Sequence, residues 1–326
     1  MLKVGIIGAG VMGAGHARFI KEYIPEAQVV ALSDIDSEKV ADLALELGTV
    51  ILQTDNPETL MNNKEVEAII IASPDSLHVA HLRYAIKSKK PVLCEKPIAT
   101  TLSEAREIAK EIEIYENSMK RTMIHFGFMR RFDPAYREVK RLIATGDFGE
   151  PTFFRTITRN VQSTGATTPG LFTNIAIHDF DIFRWLFNDE WVSVKSHYPK
   201  KSTLSPNGVA DPLVITAFMK SGIMMVADIV AFNNYGYDVR AEVVCEKGSI
   251  EIGINGDVIT RSKRFMGSHS GGVMEENWIP RFRLSYIEEL RAWVKSVTTG
   301  VNDQDLATVS DALAANEVCA LAIEAI

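Results

Sequence analysis

The chain predicts two domains. Residues 1–122 read as an α/β domain built on a doubly wound parallel sheet, and residues 123–326 as an α+β domain whose large, open, mostly antiparallel sheet is covered by helices on one face. Three observations predict this. Short apolar runs alternate with helical periodicity through the first domain, the pattern of βα units. From Pro151 that alternation gives way to strand-length segments joined by short turns. A length of 326 residues, 46% apolar and 24% charged, suffices for two ordinary cores and does not indicate disorder.

The elements of the first domain follow in order. Val4-Gly5-Ile6-Ile7 is an apolar run of strand length that ends in Gly8-Ala9-Gly10-Val11-Met12-Gly13, a match to G-x-G-x-x-G. A helical segment runs from about Ala14 to Tyr23, and a second apolar run, Val29-Val30-Ala31-Leu32, ends in Ser33-Asp34. The bare hexapeptide is better read as an ordinary glycine turn. Strand, glycines, helix, strand and an acid about twenty residues on, in this order, are the context of a dinucleotide site and define a Rossmann domain. Gly8 permits the tight turn, Gly10 lets the backbone approach a pyrophosphate, and Gly13 lets the helix pack close to the strand. The helix N-terminus, with Val11 and Met12 in its first turn, offers N–H groups to phosphate. Asp34 is placed to accept from the adenosine ribose hydroxyls. Its charge repels a 2′-phosphate and Lys39 is the only nearby cation in sequence, which favours NAD over NADP.

Ser37 to Leu47 reads as a helix, with Val40, Leu43, Ala44 and Leu47 on one face and Gly48 as its stop. Asn56-Pro57 opens a short helix. Glu67 to Ala72 is nearly all apolar, as a buried parallel strand is, and Ser73-Pro74-Asp75 breaks it. Leu77 to Lys87 is a helix and Pro91 to Cys94 a strand, ended by Glu95-Lys96-Pro97. Ser103 is expected to cap a helix to about Tyr115, and a strand near Thr122 to Phe128 completes the sheet. Ligands of such sheets bind at the carboxyl ends of the strands. Gly8, Ser73 and Glu95-Lys96-Pro97 are therefore expected to line one crevice, with Asp75 and His78 beside it as further cofactor-binding candidates. Lys96 has two readings: a solvated surface lysine, as most lysines are, or a functional group at a strand end, biased toward an extended backbone by the proline that follows.

In the second domain, Asp133 is expected to cap and Pro134 to open a helix to about Thr145. Strands are expected over Thr152–Asn160, Trp191–His197, Pro212–Met219, Met224–Phe232, Val239–Cys245 and Ser249–Ile252. Helices over Leu284–Val297 and about Ala307–Ala325 close the chain. Helices cover one face of the sheet, so the other face is expected to be a subunit interface. Phe172 to Leu186 reads as a helix that puts Asn174, His178 and Asp181 at i, i+4 and i+7, on one face opposite an apolar one. A lone histidine is more often structural. Two polar neighbours at helical spacing favour a proton-transfer role. The Thr- and Gly-rich loop Ser163–Gly170 lies just before this helix.

A net charge of −7 disfavours nucleic acid as a partner. No apolar run approaches bilayer-spanning length and no charged-then-apolar leader opens the sequence, so no membrane association is expected. Cys94, Cys245 and Cys319 are odd in number and far apart, which suits a reducing cytoplasm; no Cys/His spacing resembles a zinc site, so no metal is expected.

Four pieces in order, Gly8 to Gly13, Glu95-Lys96-Pro97, Gly127 to Asp133 and Ile177 to Asp181, resemble the Gfo/Idh/MocA oxidoreductase family, and within it the inositol 2-dehydrogenase group. The likeness covers the whole chain. It implies NAD(H)-dependent oxidation of a secondary ring hydroxyl of a small polyol or sugar to a ketone. Lys96 would hydrogen-bond the reacting oxygen, His178 would be the general base, and Asp181 a substrate hydroxyl partner. Met129, Arg130 and Asn160 would border the substrate pocket. The resemblance also implies a homotetramer packed through the second domain's sheet. One departure stands out. The residue four before the histidine is usually aspartate in inositol dehydrogenases, and here it is Asn174, which carries no charge, supports an imidazolium less well and suits a different hydroxyl pattern. Three alternatives stay open: a relative acting on another sugar, such as an aldose or a keto-inositol; a non-catalytic NAD-binding sensor, which would need neither Lys96 nor His178 for chemistry; and a dihydrodiol- or biliverdin-type reductase using NADP, which Asp34 disfavours.

Overall fold

The computed structural model describes residues 1–161, 166–233, 235–253, 258–262 and 275–324. Ser163–Gly165 of the Thr- and Gly-rich loop, and Ala325 of the last expected helix, lie outside the described residues. The chain divides into two compact units, Met1–Met129 with Tyr286–Asn316, and Arg130–Ser285 with Glu317–Ile326.

The first unit runs β1 (Leu2–Ile7), α1 (Val11–Tyr23), β2 (Ala27–Ser33), α2 (Ser37–Leu47), β3 (Leu52–Thr54), α3 (Pro57–Asn62), β4 (Ala68–Ile71), α4 (His78–Ser88), β5 (Val92–Glu95), α5 (Leu102–Met119) and β6 (Ile124–Gly127). Its six strands lie in the order β3-β2-β1-β4-β5-β6, every pairing parallel. The order reverses at β1 and β4, so the topological switch point lies at the ends of these two strands. The four residues of β4 are fully buried, as a central parallel strand with helices on both faces must be. Local chemistry sets the helix ends. Asp36 caps α2 by accepting from the Lys39 N–H, and Gly48 closes it at φ 72°. One cap differs from the expectation. Thr101, not Ser103, opens α5: its Oγ1 accepts from the Glu104 N–H at 3.3 Å and donates to the Glu104 carboxylate at 2.8 Å, whereas Ser103 lies inside the helix. The helix also runs a turn past Tyr115, to Met119, before Lys120 turns left-handed.

The second unit contains α6 (Pro134–Ala144), β7 (Pro151–Arg159), the short α7 (Thr168–Gly170), a π-helical turn (Leu171–Ala176), α8 (Ile177–Phe187), β8 (Trp191–His197), β9 (Leu213–Met219), β10 (Met224–Val230), β11 (Asp238–Cys245), β12 (Gly248–Ile252) and β13 (Val258–Ser262). Two closing helices, α9 (Trp278–Thr299) and α10 (Val309–Glu324), contribute to both units. The seven strands lie in the order β13-β12-β11-β7-β10-β9-β8. Only β7 and β10 pair in parallel, which gives the mixed, mostly antiparallel sheet. Alternation along the strands buries Phe154, Met225, Ala227 and Ile229 on one face. Helix α8 packs on that face: Phe183 stacks on Phe154 at 5.2 Å and meets Phe187 and Trp191 at 4.9 and 5.0 Å. The other face carries Arg155, Ile157, Val226, Asp228 and Phe218 in register. Asp133 caps α6 as expected, through Ala135 and Tyr136, and its second oxygen accepts from Arg281 and Ser285. This tie orders the chain around Ser285, and α9 begins at Trp278 rather than near Leu284, with a kink at Phe282.

The first unit contains histidines held neutral. Burial, with His78 beside it, pushes His81 down to about 4; burial, with Arg121 adding and Asp303 opposing, pushes His125 down to about 4. An unfolded histidine takes up its proton near 6.5, so between that value and 4 the unfolded chain binds more protons than the folded one. Stability should be complete above pH 6.5 and fall as pH drops toward 4, by up to about 1.4 kcal/mol per pH unit for a fully coupled proton. Thermal unfolding across this window should show the decline, and His125→Gln should reduce its slope. A flat profile would contradict the assignment.

Candidate active site

The dinucleotide candidates lie at the switch point of the first unit. Gly8 follows β1 at φ 98°, and a Cβ there would meet the Ala72 carbonyl oxygen at 2.4 Å, so β1 and β4 close against each other through glycine. A Cβ on Gly13 would lie 1.8 Å from the Gly8 carbonyl oxygen. Gly10, by contrast, has open space where its Cβ would be, and it is the N-cap of α1 with no side chain capping the helix. A backbone with room above it and an uncapped helix N-terminus, with Val11 and Met12 in the first turn, fits a pyrophosphate. Asp34, at the end of β2, turns back over this loop. Its Oδ2 accepts from the Ala9 N–H at 2.7 Å and its Oδ1 from the Asp36 N–H at 3.0 Å. Each oxygen keeps a second lone pair for a ribose hydroxyl. Lys39 is paired with Asp36 at 2.9 Å. These residues fit a nicotinamide dinucleotide.

The next two strand ends bear the remaining candidates of this unit. Ser73 follows β4, and its hydroxyl meets His81 Nδ1 at 2.9 Å. Asp75 opens a 3-10 turn, Asp75–Leu77, that delivers His78 to the first position of α4. His78 is buried and bridges two strand ends, with Nδ1 2.7 Å from the Pro97 carbonyl oxygen and Nε2 2.9 Å from that of Ser73. Glu95 is buried and Lys96 half-buried. Glu95 Oε1 lies 2.8 Å from Nε2 of His16, a fully buried residue of α1 that sequence reasoning missed. Burial pushes the Glu95 carboxyl up, but the His16 bond and then the Lys96 charge outweigh it, and the net shift is downward. Met129 is the last residue of this unit's first segment and is buried.

In the second unit the histidine helix is not a plain α-helix with one polar face. It opens with the π turn Leu171–Ala176, which holds the exposed Asn174, and becomes α-helical at Ile177. Such turns recur at functional sites because they offset the side chains that follow. From Ile177 to Phe183 every residue is buried, His178 among them at 9% exposure. Acids in so dry a helix need partners. Arg130 Nη1 meets Asp179 at 2.6 Å, and Arg131 grips Asp181 through Nε at 2.9 Å and Nη2 at 2.5 Å, a bidentate pair. Burial works against the Arg130 charge, and Asp179 more than offsets it, so the guanidinium is held charged. Asp181 and Arg130 are thus each engaged in a buried ion pair flanking His178. Asn160, just after β7, is half-buried; its carbonyl oxygen accepts from the Asn233 N–H at 2.9 Å and from the Asn233 amide at 2.7 Å. Arg131 and Asp179 were not singled out from the sequence. The signal was present in two adjacent arginines and two acids two residues apart within apolar surroundings.

A glycine joint at the switch point, an acid at the end of β2 and a lysine at the end of β5 are features of a nicotinamide-dinucleotide oxidoreductase. The chain belongs to the GFO/IDH/MocA family: the model of the oxidoreductase family's NAD-binding Rossmann fold matches residues 2–120, and that of the GFO/IDH/MocA C-terminal domain residues 136–251. It is 33% identical to inositol 2-dehydrogenase 1 of Saccharopolyspora erythraea over 92% of this chain and 87% of that one. It is 31% identical to inositol 2-dehydrogenase 2 of Paenarthrobacter aurescens over 100% of this chain and 96% of that one. Among solved structures it matches myo-inositol dehydrogenase from Lactobacillus casei, in complex with NAD(H) and myo-inositol, with a TM-score of 0.89 at 28% identity, covering 100% of this chain and 94% of that one.

Removing one partner of the Arg130–Asp179 pair leaves a buried charge uncompensated. Asp179→Ala should cost about 3–5 kcal/mol of stability in urea unfolding. A loss under about 1 kcal/mol, the range of solvated surface pairs, would contradict this.

Proposed function

We propose that the protein oxidises a secondary ring hydroxyl of a cyclic polyol, myo- or scyllo-inositol, to a ketone. The observation that carries this reading is the full-length likeness to inositol 2-dehydrogenases, on a chain that has both Lys96 and His178. NAD held at the β1–α1 joint would supply the acceptor for the hydride of the carbinol carbon. Lys96 donates a hydrogen bond to the reacting oxygen and steadies the charge that develops there. His178 takes the hydroxyl proton on an imidazole nitrogen. Asn174 orients by hydrogen bonding alone, so it supports an imidazolium less than an aspartate would. Met129, Arg130, Asn160 and Asp181 border the polyol in this reading, and the ion pairs of Arg130 and Asp181 make that border rigid. Gly8, Gly10, Val11, Met12, Gly13, Asp34, Ser73, Asp75, His78 and Glu95 hold or support the cofactor. Asp34, with Lys39 already paired to Asp36, supports NAD over NADP.

The same reading makes the protein a homotetramer packed through the sheet face that carries Ile157, Val226 and Phe218, which mixes apolar and charged side chains. It also makes the protein cytoplasmic. Three buried cysteines fit a reducing compartment, and among the described residues no helix is long and apolar enough to cross a membrane. Asn174 favours a second reading, a dehydrogenase of another sugar.

The test is NADH formation by the purified protein against myo-inositol, scyllo-inositol, other inositol isomers and pyranose sugars. Turnover of an inositol is expected. Turnover confined to a pyranose would select the second reading. NAD binding with no turnover of any of them would overturn the dehydrogenase reading in favour of a sensor.

A further inference from the structure

Lys96 sits in the middle of three residues whose outer two are each held by a buried histidine. On one side, His16 reaches from α1 to Glu95, Nε2 to Oε1 at 2.8 Å. The His16 ring is itself fixed edge-on against Tyr286, at 5.9 Å and 80°. The Glu95 carboxylate lies over Gly127 on β6, where a Cβ would come within 2.9 Å of Oε2; residue 127 leaves just enough room for it. On the other side, His78 reaches from α4 to the Pro97 carbonyl at 2.7 Å, and its second nitrogen lies 2.9 Å from the Ser73 carbonyl. His16 and His78 are both fully buried. A lysine carries four rotatable bonds, so the position of its ammonium is defined only as well as the backbone and neighbours that hold it.

We propose that His16 and His78 are positioning residues that brace Glu95 and Pro97 on either side of Lys96 and so fix where its ammonium meets the reacting oxygen. The proposal rests on the role given to Lys96 above. It also joins two functions physically. His16 lies three residues beyond Gly13 on the helix whose N-terminus faces the cofactor phosphates, so the helix that binds the dinucleotide also holds the carboxylate next to the lysine. His78 does the same between the ends of β4 and β5. Neither histidine needs to touch the substrate.

The test compares His16→Ala, His16→Gln, His78→Ala, His78→Gln and Lys96→Ala for kcat, KM for the polyol, NAD affinity by calorimetry and thermal unfolding. Misplacing a reacting group by about an ångström costs up to about 100-fold in rate, so kcat in the two alanine variants should fall by about 10- to 100-fold. NAD affinity of His16→Ala should stay within about threefold, well below the 1.4 kcal/mol of a tenfold change. Glutamine, which can donate to the same oxygens, should recover part of the loss in kcat. A merely structural role predicts the reverse: lower melting temperature and weaker NAD binding, with kcat per folded molecule unchanged. That outcome would overturn the proposal. If the alanine variants do not accumulate, Glu95→Gln reads the same claim, and wild-type kcat in it would overturn the proposal. Full-rate Lys96→Ala would overturn the lysine reading itself. Inactive Lys96→Ala beside full-rate histidine variants would overturn only the brace.

Discussion

The dinucleotide unit depends on a contact between two stretches of backbone. Residue 13 approaches the Gly8 carbonyl so closely that any side chain would collide with it, and residue 8 approaches Ala72 in the same way. Strand β1, helix α1 and strand β4 can meet at these angles only because both positions lack a Cβ. The open space over Gly10 is the consequence that matters for function, because a helix N-terminus brought this near a strand end leaves N–H groups for an anion. Asp34 completes the joint by accepting from the Ala9 N–H, so the acid that would read the ribose also helps fold the loop that would hold the pyrophosphate.

The second unit solves a different problem. Its histidine lies on a helix packed against the sheet by Phe183, and that helix carries two acids into a dry interior. Paired arginines from the turn before α6 neutralise them. Buried pairs of this kind contribute little net stability compared with apolar packing, but losing half of one is costly. Each pair ties α8 to the turn before α6, one of them through Asp179, the residue next to His178.

Much of this was legible in the sequence, and for identifiable reasons. Period-two and period-3.6 patterns are local, so β8 and α2 were expected at their observed limits. Strand, glycines, helix, strand and acid in order carried the dinucleotide site, because each of these signals is local. Other features depended on distant partners. The His16–Glu95 bond joins residues 79 apart, and Arg130 and Asp179 are 49 apart. No periodicity reports such contacts. The π turn at Asn174 was hidden for another reason: its residues have ordinary helical composition, and only the register of backbone hydrogen bonds distinguishes it. The three-residue β3 is too short and too polar to have signalled itself.

Central to the proposed function is a site at the β1–α1 joint and Asp34 that takes NAD rather than NADP. Calorimetric titration of the purified protein with each dinucleotide tests it most directly. The account predicts that NAD binds at least about tenfold more tightly, a difference of about 1.4 kcal/mol or more. Equal affinities, or tighter binding of NADP, would contradict it.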